Sequence, residues 1–341
     1  MLRLSFSNLY TTARSGRIGW RAVTAIAMLA CSGCFPSGLL ITPVSTRRNL
    51  VESEVGRDPG WARDKIVVVD VSGLLMNARK PQFLSDGEHP VSLFTEQLDK
   101  ARKDSAVKAV ILRINSPGGT VTASDLMYDE IKNFQRETGK PVIALMMDVA
   151  ASGGYYVACA CDEIVAQPMT ITGSIGVIMQ MFDVSGTLNL VGVKTDAITS
   201  GPNKDAGSPL RTMTAPEREL FQAIVNQMYD RFVQVVVAGR PKLDEASVRK
   251  LADGRVYLAG QALETGLVDR IATMRETVEA TKRRIGADRI RLVTYHRPLD
   301  YRPNYYASAP PTTGGDINWI KLQAPSILPN DSPQFLFLWR P

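Results

Sequence analysis

Runs of β-prone apolar residues alternate with segments of helical spacing through the middle of the chain. Residues 65–71, 107–114 and 141–147 are rich in valine, isoleucine or other apolar residues, which predicts buried strands. Residues 91–102 show helical spacing between the first two runs, and residues 122–138 show it between the second and third. Strands that alternate with helices in this way indicate βαβ units and a mainly parallel sheet, hence an α/β fold.

Two of the predicted helices carry capping signals at their starts. Thr122 precedes Asp125 by three residues, and Thr214 precedes Glu217 by the same spacing, as in a capping box. The second of these helices is long and ends at Gly239. Its predicted apolar face comprises Phe221, Ile224, Val225, Met228, Phe232, Val235 and Val236. The C-terminal part of the fold is predicted to be mostly helical, with further helices at 244–252, 259–265 and 272–285.

Composition changes along the chain predict four segments. Residues 1–34 have the features of a signal or membrane anchor, and residues 35–64 are expected to be mainly a linker because they are largely polar and contain a Pro-Gly turn. Residues 65–286 form the folded domain. Residues 287–341 are a Pro-rich extension with a single strand-like piece at 290–295.

The N-terminal segment predicts export. Most of the net charge of +6 comes from Arg3, Arg14, Arg17 and Arg21, so basicity argues little for nucleic-acid binding. The apolar run that follows, residues 22–30, is too short to span a bilayer alone.

Two interpretations of the membrane attachment stay open. The small residues that end at Cys34 resemble a bacterial lipoprotein cleavage box, with Cys34 as the lipidated residue. Alternatively, the apolar run continues through residues 38–44 as an uncleaved transmembrane anchor. Either interpretation places the body of the protein outside the cytoplasm and attached to the bacterial cell membrane.

The strand at 141–147 leads into a tight turn that contains Ser152, and an apolar helical run follows at 157–161. Such a serine projects from the sheet edge towards a cleft, beside unpaired N–H groups at the start of a helix. Gly153 and Gly154 allow a tight turn and the close approach of a substrate carbonyl. Ser152 is therefore a candidate nucleophile, although a helix cap that only shapes the turn explains the same pattern.

A nucleophilic serine needs a base, and the chain has two histidines. His89 falls in a polar loop and His296 near the weakly patterned end, which argues against a Ser-His-Asp triad. A lysine can serve instead when burial or neighbouring positive charge favours its neutral form. Lys204 is the best candidate because turn-forming residues surround it, but a solvated surface lysine is the alternative, and composition alone does not select it.

Glycine turns at two strand ends predict an oxyanion hole. Gly153 offers one backbone N–H, and Gly118 or Gly119, at the end of the preceding strand, offers another. Ser174 lies in a third glycine turn and is a candidate for orienting the base, or simply a turn cap.

The cysteines at positions 159 and 161 are interpreted as small core residues. Their C-x-C spacing without nearby histidines is a weak metal signal, and no disulfide framework is implied. Neither a metal nor a cofactor is predicted.

Four motifs in this order resemble the signal peptide peptidase A family: Asn115-Ser-Pro-Gly-Gly119, Ala150-Ala-Ser-Gly-Gly-Tyr-Tyr156, Thr172-Gly-Ser-Ile-Gly-Val177 and Gly201-x-x-Lys204-x-x-x-Ser208-Pro209. Residues 253–257 and 262–269 resemble the closing segment of that family. The resemblance covers about residues 65–285, excludes both ends of the chain, and corresponds to the short form with one peptidase domain.

The resemblance implies a ClpP/crotonase-like fold and a serine–lysine dyad peptidase. By motif, Ser152 corresponds to the nucleophile, Lys204 to the general base, and Ser174 to the residue that is hydrogen-bonded to the lysine. Gly153 and Gly119 correspond to the oxyanion donors. The family also implies a homo-oligomer whose active sites are completed between neighbouring subunits.

The leading hypothesis is a membrane-tethered serine endopeptidase that degrades cleaved signal peptides and other small or unfolded peptides. A catalytically silent, peptide-binding membrane scaffold of the same fold is the main alternative, and the presence of both Ser152 and Lys204 counts against it. Crotonase-like turnover of acyl-CoA is a third hypothesis, which the export signal disfavours.

Overall fold

The computed structural model describes residues 49–78, 88–298 and 335–339. The predicted anchor with Cys34, and most of the Pro-rich extension, lie outside these residues. Among the helices in the described ranges, none combines the length and the hydropathy that crossing a membrane requires.

The described residues contain a large, mainly parallel sheet and a small three-stranded one. The strands are β1 Val51–Arg57, β2 Asp64–Ser72, β3 Val107–Ser116, β4 Gly118–Thr120, β5 Val142–Ala151, β6 Glu163–Ala166, β7 Ile171–Gly173, β8 Ile178–Met179, β9 Val256–Leu258, β10 Arg270–Ile271, β11 Ile290–His296 and β12 Phe335–Leu338. The main path of the large sheet is β1-β11-β2-β3-β5-β6-β10, and all its pairings are parallel except that of β1 with β11. The α/β prediction is confirmed.

Helices cover both faces of the large sheet. They are α1 Pro90–Lys103, α2 Val121–Thr138, α3 Gly153–Ala158, α4 Ser185–Leu190, α5 Ala215–Gly239, α6 Glu245–Leu251, α7 Ala259–Glu264 and α8 Met274–Arg284. On β2, Val67 and Val69 face the core shared with α1, α2, α3 and α5, whereas Ile66 and Val68 face the core shared with α8. Side chains alternate along a strand, so strands buried on both faces appear in the sequence as continuous apolar runs.

The two capping predictions have different outcomes. Thr214 begins α5 in a capping box with Glu217, as expected. The prediction of Thr122 as a cap is wrong, because Thr120 caps α2 by accepting a hydrogen bond from the N–H of Ala123. Asp125 is consequently free of a capping role and contacts side chains of other helices instead.

The ends of the predicted folded domain differ from the structure. Residues 51–57, expected to be linker, form the edge strand β1. Residues 290–296, assigned to the extension, form β11 between β1 and β2 in the large sheet. The sequence predicted a strand-like piece at 290–295 but not its place in the sheet, because its pairing with β1 and β2 joins segments far apart in the chain.

An ion pair between the buried Arg240 and the partly exposed Asp269 joins the end of α5 to the segment before β10. The Arg240 guanidinium donates to both carboxylate oxygens of Asp269, at 2.8 and 2.7 Å, and to the carbonyl of Gly266 at 2.8 Å. Burial by itself would raise the pKa of Asp269, but hydrogen bonds from Arg240 and from the N–H of Ile164 outweigh it and hold that pKa below its usual value. Arg240 therefore connects the helical part of the fold to the edge of the parallel sheet.

Replacing Arg240 with methionine should lower the free energy of unfolding by about 1–3 kcal/mol, because it leaves the Asp269 carboxylate and the Gly266 carbonyl without the guanidinium that donates to them. Urea unfolding at neutral pH measures this loss. The difference in unfolding free energy between wild type and this variant should shrink as the pH falls below about 4. A carboxylate with a depressed pKa stabilises the fold only while it is ionised.

The matched control is Arg249→Met, which removes an exposed arginine paired with Glu245 and Asp230. Exposed pairs contribute less than about 1 kcal/mol, so this variant should unfold close to wild type. Equal losses for the two variants would contradict a stabilising role for the Arg240–Asp269 pair.

Candidate active site

The carboxyl ends of β3 and β5 lie side by side and build the site. β6 pairs with β5 as far as Met146, and β7 takes over the pairing at residues 149–151. This change of partner at the sheet edge leaves β5 to end in the Ser152 turn, next to the Pro117-Gly118 turn that ends β3. Such switch points are where open parallel sheets bind ligands.

Ser152 connects β5 to α3 in a strained conformation. Its φ of 51° and ψ of −115° lie in a region that non-glycine residues rarely adopt. Its N–H donates to the carbonyl of Gly173 at 2.7 Å, and its side chain makes no capping hydrogen bond to α3. Strain of this kind costs about 1–3 kcal/mol and is concentrated at functional sites. The predicted strand–turn–helix arrangement is present.

Three backbone segments approach each other at the glycines of the two turns. A Cβ on Gly153 would stand 2.4 Å from Ser124 Oγ and 3.2 Å from the backbone nitrogen of Gly119. A Cβ on Gly154 would stand 2.8 Å from the carbonyl oxygen of Ser116. Because real Cβ atoms do not come so close, glycine alone permits the approach that brings Gly153 and Gly119 together.

A cavity of about 520 Å³ opens beside Ser152. Its lining comprises Ser152, Ser174, Ile175, Gly176, Val177, Ile178, Val225, Asn226, Tyr229, Ala252, Asp253, Gly254, Leu338 and Trp339. Ser174 is the other described non-glycine residue with a positive φ, at 49°, and its N–H donates to the carbonyl of Arg255 at 2.7 Å. The structure thus brings two of the predicted site serines to one cavity.

Lys204 occupies a different position. It is exposed, lies in a turn closed by its own N–H and the carbonyl of Gly201, and is not among the residues that line the Ser152 cavity in the described chain. The next residue, Asp205, accepts hydrogen bonds from Arg211, which also contacts Glu217. The Arg211 hydrogen bonds, with one from the N–H of Thr214, lower the pKa of Glu217 to about 2. The loop that carries Lys204 is therefore anchored to the start of α5.

The two histidines have positions that match structural roles. His89 caps α1, where its ring accepts a hydrogen bond from the N–H of Ser92. His296 is buried in β11 and its Nε2 lies 2.7 Å from Ser53 Oγ. Neither lines the cavity that contains Ser152.

Cys159 and Cys161 are buried free thiols, as core residues should be. Burial raises the pKa of the Cys159 thiol to about 12, so it stays protonated at neutral pH.

An aromatic cluster beside the Ser152 turn was not predicted. The ring centroid of Tyr156 on α3 lies 5.5 Å from that of Tyr128, 5.0 Å from that of Phe232 and 5.1 Å from that of Phe337. Its hydroxyl donates to Asp125 at 2.5 Å, and burial, followed by that hydrogen bond, raises the pKa of Tyr156. The run Phe335-Leu-Phe-Leu-Trp339 is a strand signal that could have indicated one partner, whereas the pairing of the others depends on long-range packing.

Two protein-family models match overlapping parts of the chain. The model "Peptidase family S49" matches residues 134–288, and the model "Clp protease" matches residues 65–189. The second match, with the mainly parallel sheet, confirms the ClpP-like fold expected from the motifs.

Several curated proteins are similar in sequence. The "Putative signal peptide peptidase SppA" of Enterococcus faecium is 37% identical over 226 residues, which cover 66% of this chain and 65% of that protein. "Protease 4" of Haemophilus influenzae is 39% identical over 217 residues, 63% of this chain and 34% of that protein. The "Putative protease slr0021" of Synechocystis is 35% identical over 238 residues, 69% of this chain and 80% of that protein. The alignments thus span about two thirds of the first relative and one third of the second.

The strain at Ser152 predicts that Ser152→Gly stabilises the protein by about 1 kcal/mol, because glycine adopts this backbone conformation without steric cost. The matched control is Ser152→Ala, which removes the hydroxyl but keeps the Cβ and therefore the strain. Urea unfolding of the two variants measures the difference. A Ser152→Gly variant no more stable than Ser152→Ala would show that the turn is unstrained.

Proposed function

This chain belongs to peptidase family S49, and we propose that it is a serine peptidase in which Ser152 is the nucleophile and Lys204 the general base. The observation that carries the proposal is the conformation of Ser152, held with positive φ at the start of α3 and at the wall of a cavity. A strained serine whose hydroxyl does not cap the helix is arranged for chemistry rather than for the stability of the turn.

The neighbouring glycines support an oxyanion hole. The backbone nitrogens of Gly153 and Gly119 come from two converging turns, and the start of α3 adds a favourable partial charge. Two N–H donors aimed at one carbonyl oxygen stabilise the negative charge that develops there, at about 3 kcal/mol of barrier for each donor.

The reaction then follows the chemistry of an acyl-enzyme. Ser152 Oγ attacks the carbonyl carbon of the scissile peptide bond while its proton passes to the neutral amine of Lys204. The lysine returns that proton to the leaving nitrogen, and the C–N bond breaks. A water molecule next attacks the ester, with Lys204 again taking and returning a proton, and the new carboxylic acid leaves Ser152 free. Ser174, at the same cavity, is proposed to orient the lysine.

We further propose that Lys204 reaches Ser152 of a neighbouring subunit. The segment around Lys204 exposes several large apolar side chains: Phe182, Leu190, Val191, Val193, Ile198 and Leu210. The half of α5 that precedes Phe232 is also incompletely buried, although its sequence predicts an apolar face. Large apolar side chains exposed along one segment are typical of a protein interface, and a symmetric ring would place the same segment against each neighbour.

The proposed substrates are cleaved signal peptides and other small or unfolded peptides, at a membrane to which the N-terminal segment tethers the protein. The relative named as a signal peptide peptidase and the N-terminal sequence with Cys34 support this part of the proposal.

Mixing two inactive variants tests the proposed dyad. Ser152→Ala and Lys204→Ala should each lower the hydrolysis of a signal-peptide-like substrate by at least about 10³-fold. Mixed in equal amounts and allowed to exchange subunits, they should recover about one quarter of wild-type activity, since a site needs an intact serine from one subunit and an intact lysine from the next.

Light scattering on the same samples checks that wild type and variants assemble alike. Lys194→Ala is the control, because Lys194 is another exposed lysine of the same segment. Full activity in Lys204→Ala would exclude Lys204 as the base. Loss in both variants without recovery in the mixture would place the dyad within one chain, and an assembled but inactive wild type would favour a peptide-binding scaffold.

A further inference from the structure

The C-terminal strand β12 lies between two strands of the site. It pairs antiparallel with β4, where Leu336, Phe337 and Leu338 face Thr120, Gly119 and Gly118. On its other side it pairs antiparallel with β8, where Phe335 and Leu336 face Met179 and Ile178. β4 and β8 therefore form the two walls of a groove that receives one extended peptide, and residues of this chain occupy it.

The backbone of β12 is aligned with the proposed oxyanion donors. The N–H of Trp339 donates to the carbonyl of Pro117 at 2.9 Å. Hydrogen-bonded pairs of an antiparallel ladder recur every second residue, so Phe337 opposite Gly119 is such a pair too.

The carbonyl oxygen of Phe337 also approaches Gly153. A Cβ on Gly118 would stand 2.0 Å from the carbonyl oxygen of Phe337 and 2.7 Å from the backbone nitrogen of Gly153. The two atoms therefore lie close to the same position beside Gly118, whose φ is 106°. The Phe337 carbonyl oxygen therefore lies close to the proposed oxyanion donors.

The side chains of β12 pack as those of a bound peptide would. Phe337 is fully buried, with its ring centroid 5.1 Å from that of Tyr156 and 4.7 Å from that of Phe232. Leu338 and Trp339, which follow it, line the cavity beside Ser152. The two residues that follow Phe337 therefore lie at the same cavity as Ser152.

We propose that residues 335–339 are a tethered competitor that fills the peptide groove, and that the Tyr156–Phe232 pocket selects an aromatic side chain at the substrate position that Phe337 occupies. This inference rests on the proposed function only in calling the groove a substrate groove. Addition of a strand to exposed edges is a common mode of peptide recognition, in which main-chain bonds supply affinity and side-chain pockets supply specificity.

The competitor lowers the apparent affinity of the protein for its substrate and leaves the rate of the chemical step unchanged. A tether holds the strand near the groove at an effective concentration on the order of millimolar. A substrate binds only when the strand has left, so its apparent affinity falls in proportion to the fraction of grooves that are open. Weakening the strand should lower KM and leave kcat unchanged.

Binding of a labelled peptide tests the proposal without hydrolysis. The probe is a fluorescein-labelled peptide with the sequence of residues 334–339, and the proteins are full chains that all carry Ser152→Ala. With Phe337→Ala, or with a stop after residue 334, the fluorescence anisotropy should report binding at least about tenfold tighter than to the otherwise unchanged chain.

Two controls make the test specific. Phe335→Ala removes a phenyl ring of the same size from the same strand, but one that is only half-buried, and it should change probe binding less than about threefold. A probe with alanine in place of the residue corresponding to Phe337 should bind the truncated chain at least about tenfold more weakly than the original probe. Circular dichroism verifies that each variant is folded, and Phe337→Ala serves if the truncated chain is not.

Equal probe affinity with and without the strand would overturn the proposal, as would equal binding of the two probes. In chains with Ser152 intact, an unchanged KM for Phe337→Ala alongside normal hydrolysis would also overturn it, while leaving the peptidase function standing. If the probe behaves as expected and no chain hydrolyses any peptide, the groove and its competitor stand and the peptidase function fails.

Discussion

The site depends on the close approach of backbones that carry no Cβ atoms. Gly118, Gly119, Gly153 and Gly154 lie where the ends of β3 and β5 meet α3, and a methyl group on any of them would overlap neighbouring atoms. This approach brings the Gly119 backbone close to Gly153, next to the strained Ser152, and leaves room for a peptide strand beside β4. The large cores on both faces of the sheet support that strain, because they fix the two strand ends independently of the turns.

The two halves of the proposed dyad are built in different ways. Ser152 is buried and belongs to the rigid centre of the fold, whereas Lys204 lies on an exposed turn anchored through Arg211. A rigid nucleophile and a base that completes the site only on association would couple hydrolysis to assembly. The proposed tethered strand adds a second control, because it limits access to the groove and leaves the chemistry of Ser152 unchanged.

The accuracy of the sequence predictions varies with how local their signals are. The strands at 65–71, 107–114 and 141–147 were recognised because burial on both faces makes them continuously apolar. The capping box at Thr214 was correct, but Thr122 matched the same pattern and Thr120 is the cap, since the pattern does not include where the preceding strand ends. β1 was expected to be linker, and the strand-like piece at 290–295 was placed outside the folded domain, because both join the sheet through pairing between the two ends of the chain.

The sequence alone determined the α/β class, the alternation of the central strands and helices, and the turns at Ser152, Gly119 and Ser174, because each has a short-range signature in spacing or in glycine content. Only the tertiary structure decided what those turns face. It shows that Lys204 does not line the Ser152 cavity. It also shows the Asp125–Tyr156 contact and the pairing of β12 with β4, which join residues far apart in the chain. Such contacts leave no periodic pattern, since they follow from how packed layers bring distant segments together.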